Sequence, residues 1–255
     1  PPLSEPSFFS DKEVVLTWLK TLPLDYEMII SFLYQSEKLV GIALLGEFKE
    51  FIGRVIPVKK ISLLRSGVSH FDQWWPEYVQ PRLDKDSHHL WGDWMHEIIK
   101  QTKADFLDTE VVPLDWLREW EQGTVKLSLE VSNVESGGIV DLKTETKFSK
   151  STIRQYKQTS KFSKNKWGLL KLERLEADEI EGALSSYSFW HINKWVNTET
   201  ESGFKNKHFE DVLNGLAFLK GEIGLDVYLA SVNGDVLGMQ VMLSKDDWAG
   251  FYLSS

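Results

Sequence analysis

Cysteine is absent from the 255 residues of this chain. Its absence excludes disulfide bonds, cysteine-ligated zinc, iron–sulfur clusters and thiol nucleophiles, and it fits a reducing compartment. No apolar run approaches the ~18–20 residues that a membrane-spanning helix needs, and residues 1–10 show no secretory-signal pattern. We therefore expect a cytoplasmic protein. Aromatic residues, in contrast, make up 13% of the chain and include 11 Trp, which is enough for a large apolar core.

Positive charge is in short supply and is concentrated in one segment. The formal net charge at pH 7 is −9, which argues against general nucleic-acid binding. Residues 143–174 nevertheless contain ten Lys or Arg and two Glu. Within this segment Arg154, Lys157 and Lys161 lie at spacings of three and four, and would share one face of a helix. Such a face either binds a specific anion or is simply solvated, and the spacing leaves both interpretations open.

Hydrophobic periodicity predicts two regions of helices and strands. The first contains a helix, three strands, two helices and a short strand, at residues 11–21, 27–34, 39–45, 60–65, 71–79, 87–101 and 104–112. The second contains a basic helix, a strand, two helices and three strands, at residues 149–162, 166–172, 177–196, 208–220, 225–232, 236–243 and 248–254. A short helix at 114–122 and two strands within 124–142 lie between them, so we expect domains at 1–123 and 124–255. The predicted fold class is α/β with a mixed, α+β type of sheet.

Two segments of the chain repeat the same local pattern. Residues 39–44 and 236–241 both follow a polar turn, and both place a glycine, Gly41 or Gly238, after two apolar residues. The Asn-Gly pair before the second segment favours positive φ at both turn positions, which is typical of a two-residue hairpin. We predict an internal duplication. The alternative is that any two hairpins share such a pattern, because glycine in a strand often marks a bend.

Four short segments of the second region carry a resemblance to a known superfamily. They are IRQYK at 153–157, FWHINKW at 189–195, NGDVLG at 233–238 and FYLS at 251–254. Together with the order strand, helix, helix and three strands, they resemble the GNAT acyltransferases, and specifically the CelD-like branch. That branch has two tandem GNAT-like halves and is related to the Fem-type peptidyltransferases. The resemblance spans about residues 25–255, with specific matches only after about residue 147.

The resemblance implies an N-acyltransferase that moves an acetyl or other acyl group from acyl-CoA, its co-substrate, to an amine. The implied acceptor is an amino sugar, nucleotide-linked or not, or another cell-envelope or polysaccharide precursor. No membrane or nucleic-acid partner is expected. The second half is truncated after its fourth strand, before the loop and helix that would hold the CoA pyrophosphate, so we expect poor CoA binding. The alternatives are a non-catalytic GNAT-like binding or scaffold protein and a Fem-type aminoacyl transferase.

The same resemblance assigns roles to individual residues. The fourth strand and the basic helix would bind acyl-CoA through Leu253, Ser254, Ser255 and Arg154, while Tyr252 would flank the acyl carbonyl. His191 is the candidate general base because histidine titrates near neutral pH, with a core-edge histidine as the alternative. Trp190, Trp195 and Gln240 would contact the acceptor. Aromatic residues at helical spacing are more often core residues, however, and Gln240 would otherwise face solvent.

A group of histidines near residue 90 contains residue types that can bind a metal ion. His89 and Asp93 lie one helical turn apart, as two ligands require, but His96 would lie two turns from His89. His88 precedes them by one residue and adds no better spacing. We therefore predict no metal site. The absence of G-x-S-x-G, H-E-x-x-H and P-loop patterns removes support for serine hydrolase, zinc protease and nucleotide triphosphatase functions.

Overall fold

The computed structural model describes residues 7–68, 71–74, 76, 79–109, 112, 149–198, 201–219, 223–246 and 248–254. These residues form a mixed α/β fold with five α-helices and two β-sheets, which confirms the predicted fold class. The helices are α1 Lys12–Thr21, α2 Trp91–Thr102, α3 Lys150–Lys166, α4 Ala177–Trp195 and α5 Lys207–Ala217. Among the described residues no helix is long and apolar enough to cross a membrane.

The first sheet contains the strands β1 Ile29–Gln35, β2 Lys38–Ile52, β3 Ile56–Leu63, β4 Arg82–Leu83 and β5 Phe106–Asp108. Its order is β1-β2-β3-β5, and the two-residue β4 pairs with β2. β1, β2 and β3 form antiparallel hairpins, whereas β5 runs parallel to β3. The parallel pair follows from the connection, because a chain that leaves β3 and returns through α2 arrives in the same direction.

The second sheet contains the strands β6 Leu170–Arg174, β7 Ile223–Val232, β8 Asp235–Lys245 and β9 Trp248–Ser254. Its order is β6-β7-β8-β9, and every neighbouring pair is antiparallel. Because α4 and α5 lie between β6 and β7 in the chain, the predicted order of strand, helix, helix and three antiparallel strands is confirmed. Residues 113–148, with the predicted helix at 114–122 and strands within 124–142, lie outside the described residues, so the domain boundary stays a prediction.

Several element bounds differ from the predicted ones. β2 continues to Ile52, seven residues past its predicted end, because its polar second part pairs with β3. The salt bridges Lys59–Glu47 at 2.6 Å and Lys60–Glu50 at 2.8 Å stabilise this extension, and apolar periodicity does not reveal them. α3 continues to Lys166 and is capped by the Ser149 hydroxyl, which accepts the Thr152 N–H at 3.1 Å.

Elements from both ends of the chain share one hydrophobic core. α1 packs against α5, and their close approach depends on Gly215, where an added Cβ would lie 2.6 Å from the Thr17 methyl group. Trp18 of α1 stacks on Trp74 with ring centroids 5.5 Å apart. Lys245 at the end of β8 forms a 3.1 Å salt bridge with Asp11. The beginning of the chain is therefore packed against the second sheet.

The two repeated segments adopt the same hairpin geometry. Residues 36 and 37 connect β1 to β2, residues 233 and 234 connect β7 to β8, and all four have positive φ. Gly41 and Gly238 each occupy the fourth position of the second strand, opposite Leu33 and Ala230 respectively. A register shift follows immediately in both hairpins. The prediction that both glycines lie on the second strand of a hairpin is confirmed.

Candidate functional site

The last strand of the second sheet contains a β-bulge. β9 pairs with β8 residue by residue from Trp248 to Phe251, and again at Leu253 and Ser254, but the register shifts in between. Tyr252 is the extra residue, since Phe251 pairs with Met242 and Leu253 pairs with Val241. The extra residue of a bulge is left out of the ladder, and bulges are enriched next to active sites. The main chain at Tyr252 is therefore the first candidate for a functional group.

The side chain of Tyr252 connects the bulge to the first half of the chain. Its hydroxyl donates a hydrogen bond to the main-chain carbonyl of Trp74. Its ring lies 6.3 Å from the Phe9 ring and 6.5 Å from the Phe209 ring, measured between centroids, and the residue is half-buried. The hydroxyl is thus engaged in holding the bulge in place. Its predicted position beside an acyl carbonyl stays a prediction.

Gln240 lies on β8 next to the bulge. It pairs with Ser254 in the register, and its amide Nε2 donates to the carbonyl of Leu253 at 2.8 Å and to that of Val241 at 3.0 Å. Gln240 therefore fixes the β9 main chain directly after Tyr252, and it is half-buried rather than fully solvated. The structure brings together four of the predicted site residues: Gln240, Tyr252, Leu253 and Ser254. Ser255 lies outside the described residues.

His191 is buried on α4 in an aromatic environment. Its Nδ1 lies 2.8 Å from the hydroxyl of Ser202, which also accepts the main-chain N–H of Phe204 at 3.2 Å. The rings of Tyr187, Phe204 and Trp195 lie within 6 Å of the imidazole. Burial, and secondarily the positive charge of Lys194, lowers the pKa of His191 below its ordinary value. The neutral form, which is the one a base requires, is therefore favoured at neutral pH.

His191 and the bulge are separated by two aromatic rings. The centroids of His191 and Phe204 are 5.4 Å apart, those of Phe204 and Phe209 are 5.0 Å apart, and Phe209 then contacts Tyr252. The two predicted catalytic residues, His191 and Tyr252, thus lie in one row of packed aromatic rings. Among the described residues, their own two rings do not form a direct pair. The packing around His191 is that of the alternative interpretation, a histidine at the edge of the core.

The two predicted sugar-stacking tryptophans differ in their surroundings. Trp190 is 37% exposed and offers a ring face at the surface of α4. Trp195 packs near His191 with ring centroids 5.9 Å apart. Its indole N–H is buried and has no hydrogen-bond partner among the described residues. A buried donor without a partner is costly, so this indole would gain from a ligand that accepts its hydrogen bond.

The basic helix α3 stands apart from the bulge. It has no buried residue, and it contacts β6, which is the opposite edge of the second sheet from β9. Five cations at spacings of four and three follow one side of the helix, namely Lys150, Arg154, Lys157, Lys161 and Lys164. Four of them line a shallow groove with Ile153 and Gln158. The structure therefore places Arg154 in a stripe of positive charge, on a helix that contacts the β6 edge of the second sheet.

The loop that carries Trp74 is organised by a residue that the sequence pattern did not single out. The buried carboxylate of Asp72 accepts the N–H of Ser66 at 2.7 Å and that of Gly67 at 3.1 Å. Burial raises the pKa of Asp72, while these hydrogen bonds oppose the shift. Gly67 has φ +90°, and a Cβ there would lie 2.2 Å from the Glu47 carbonyl oxygen. The Ser-Gly pair followed by Asp72 was the available signal for this turn.

No group of three His, Cys, Asp or Glu residues suited to a metal ion occurs in the described part of the chain. No protein-family model and no curated protein matches this sequence. The fold is similar to the crystal structure of a conserved protein of unknown function from Bacteroides thetaiotaomicron. That comparison has a TM-score of 0.58 at 12% identity and covers 95% of this chain and 70% of the other. At this identity the similarity shows a shared fold and nothing about activity.

Proposed function

We propose that this protein is an acyl-CoA-dependent N-acyltransferase of the GNAT type. It would transfer an acetyl or other acyl group to the amine of an amino sugar or of another cell-envelope or polysaccharide precursor. The cytoplasm, where acyl-CoA is available, is the compartment that this proposal implies. The proposal rests on the resemblance of four sequence segments together with one structural observation, the bulge at Tyr252.

The bulge supports the proposal through the chemistry of acyl transfer. A neutral amine attacks the thioester carbonyl, a C–N bond forms, and the carbonyl oxygen acquires negative charge. A preorganised N–H aimed at that oxygen stabilises the transition state, and removal of one such donor in other enzymes costs about 10²–10³ in rate. A β-bulge changes the direction of the main chain locally, and Tyr252 is the residue of β9 at which the register with β8 shifts, so its N–H would be the donor in this proposal.

The remaining steps of acyl transfer would involve other residues of the proposed site. When the tetrahedral intermediate collapses, the C–S bond breaks, the CoA thiolate takes a proton, and the amine proton passes to a base. Gln240 would hold the β9 main chain in position through its bond to the Leu253 carbonyl. His191 would accept the amine proton only through an intervening water or group, because two aromatic rings separate it from Tyr252. Arg154 would attract a phosphate of the co-substrate.

The test is turnover by the full-length protein with acetyl-CoA and a panel of amino sugars and nucleotide-linked amino sugars. The expected result is release of free CoA thiol that depends on the acceptor, together with an acetylated product in the mass spectrum. A matched reaction without acceptor measures simple hydrolysis. Absence of turnover across the panel, combined with absence of acetyl-CoA binding in calorimetry, would favour the non-catalytic scaffold. Aminoacylated product formed only with aminoacyl-tRNA would favour the Fem-type transferase.

A further inference from the structure

The segment from residue 167 to 172 exposes an unusual amount of apolar surface. Four of its six residues are large and apolar, and their exposed fractions are 50% for Trp167, 73% for Leu169, 46% for Leu170 and 70% for Leu172. Every residue of β6 is exposed. Contiguous apolar surface of this kind on a folded protein marks an interaction site more often than isolated apolar residues do.

β6 is also an edge strand. In the described part of the chain it pairs with β7 and with no second strand. The outer edge of such a strand presents N–H and C=O groups that can pair with another chain. Natural proteins usually protect an edge with charge, but here Lys171 forms a salt bridge with Glu173 of the same strand, which neutralises both charges. Within the described residues, the edge therefore combines main chain that pairs with no second strand, apolar side chains and charges of both signs.

The sequence of β6, Leu-Lys-Leu-Glu-Arg, is complementary to itself when the strand is paired antiparallel. If two copies meet about a two-fold axis at Leu172, then Leu172 lies opposite its counterpart. Lys171 then lies opposite Glu173 of the other copy, twice by symmetry, and Leu170 lies opposite Arg174. Cross-strand pairs of opposite charge stabilise a sheet, and like charges directly opposite destabilise it.

The neighbouring registers of the β6–β6 pair would give less favourable charge pairs. An axis at Lys171 would place two lysines opposite each other, and an axis at Glu173 would place two glutamates opposite each other. An axis between two residues is excluded, because residues directly opposite each other in an antiparallel pair lie on the same face of the sheet. Only the register centred on Leu172 pairs both charges with their opposites, so charge selects one arrangement out of those the edge allows.

We propose that two copies of this chain associate through β6 in this register, which joins their second sheets into one antiparallel eight-stranded sheet. The occupant of the exposed edge is thus a second copy of the same strand. Such an interface is isologous, and each copy contributes the same residues. Leu172 lies on the two-fold axis, and Leu170, Leu169 and Trp167 lie progressively farther from it along the strand.

The first test uses the absence of cysteine from the chain. Leu172→Cys introduces a single thiol whose counterpart lies directly opposite in the proposed dimer, at a Cα separation of about 4.5–5.5 Å, within the range a disulfide requires. Mild oxidation of the purified protein is expected to convert most of this variant into a covalent dimer on a non-reducing gel. Leu169→Cys is the matched control, since it is equally exposed but its two copies lie about 20 Å apart along the strands.

The second test uses the charges, with the dimer dissociation constant measured by analytical ultracentrifugation. Lys171→Glu and Glu173→Lys each place like charges opposite each other and are expected to weaken association about tenfold. The double variant Lys171→Glu/Glu173→Lys restores opposite charges and is expected to regain the original affinity to within about threefold. Far-UV circular dichroism verifies that each variant is folded.

Three results would overturn the proposal. One is a protein that remains monomeric up to about 100 µM. Another is disulfide formation to the same extent by Leu172→Cys and Leu169→Cys, which would show random collision. The third is a double charge variant that is no tighter than the single variants. Each of these outcomes is independent of whether the protein transfers acyl groups.

Discussion

The two helix-plus-three-strand units of this chain differ most in their last strand. α1 with β1–β3 and α5 with β7–β9 share their order, their hairpin geometry and the position of one glycine. β3 pairs with β2 through eight consecutive residues and is covered on its other side by β5. β9 pairs with β8 through a bulge at Tyr252. The last strand is thus regular in the first unit and interrupted in the second, where we propose chemistry.

Proline substitution tests this difference most strongly. At Ile61, in the middle of β3, we expect Ile61→Pro to cost about 3 kcal/mol or more beyond Ile61→Ala, because it removes a ladder N–H between two paired strands. At the bulge we expect Tyr252→Pro to cost little more than Tyr252→Ala, since proline is tolerated at bulges. Urea unfolding of the four variants measures the two differences. Equal proline penalties at both positions would contradict the contrast between the strands.

The same pair of variants at Tyr252 tests the proposed donor. If acyl transfer is confirmed, Tyr252→Pro is expected to lower kcat about 10²–10³-fold below Tyr252→Ala, because both lack the ring but only the first lacks the N–H. Tyr252→Phe, which loses only the hydrogen bond to Trp74, serves as the mild control. Steady-state thiol release measures all three. A proline variant as active as the alanine variant would place the oxyanion donor elsewhere.

Exchanging the turn residues sharpens the comparison between the hairpins. Glu37 has φ +69°, a conformation that costs a residue with a Cβ about 1 kcal/mol relative to glycine, whereas the equivalent position holds Gly234 with φ +91°. We expect Glu37→Gly to raise, and Gly234→Glu to lower, the free energy of unfolding by about 0.5–1 kcal/mol. In a chain of this size that corresponds to roughly 2–4 °C in Tm per kcal/mol, which calorimetry resolves.

The smallest expected effect concerns pH. Burial lowers the folded-state pKa of His191 below the unfolded value of about 6.5, so the unfolded chain binds the proton more tightly. The stability associated with neutral His191 is therefore complete above pH 6.5 and is lost as the pH falls toward the lowered folded value. Unfolding free energies between pH 5 and 7.5 should decline less steeply in His191→Gln than in the parent protein. If the unfolding free energies of the two proteins changed with pH in the same way, the lowered pKa of His191 would be contradicted.

Local sequence information predicted much of the second unit. The hydrophobic period of α4 and α5 depends only on residues a few positions apart, and so does the Asn-Gly turn at residues 233 and 234. These local patterns predicted the bounds of the elements to within a few residues. The length of β2 was not predictable in this way, because its second part is held by charge pairs with β3 rather than by an apolar pattern. The positive φ of Ser36 and Glu37 was not predictable either, because the conformation of this turn depends on the strands that it joins.

The candidate site was predictable only in part. The sequence resemblance selected Tyr252, Leu253, Ser254 and Gln240, which the structure brings together. The bulge itself is a property of two strands in register and has no signature in either strand alone. The bond between Tyr252 and Trp74 joins residues 178 positions apart, which no local pattern encodes. For His191, both a site residue and a core-edge residue were consistent with helical spacing, and only packing reveals its aromatic surroundings.

The contact between the first helix and the last strands has a consequence for biosynthesis. α1 and the residues just before it leave the ribosome early, but α5, which packs on α1, and Lys245 and Tyr252, which contact Asp11 and Phe9, are translated roughly 200 residues later. Contacts of such high sequence separation form slowly, because a long loop must close before they contribute. The part of the α1 surface that packs against α5 therefore remains uncovered until translation is nearly finished, even though Trp18 can stack on Trp74 earlier. A nascent chain of this protein is a natural client for chaperones that shield emerging apolar helices.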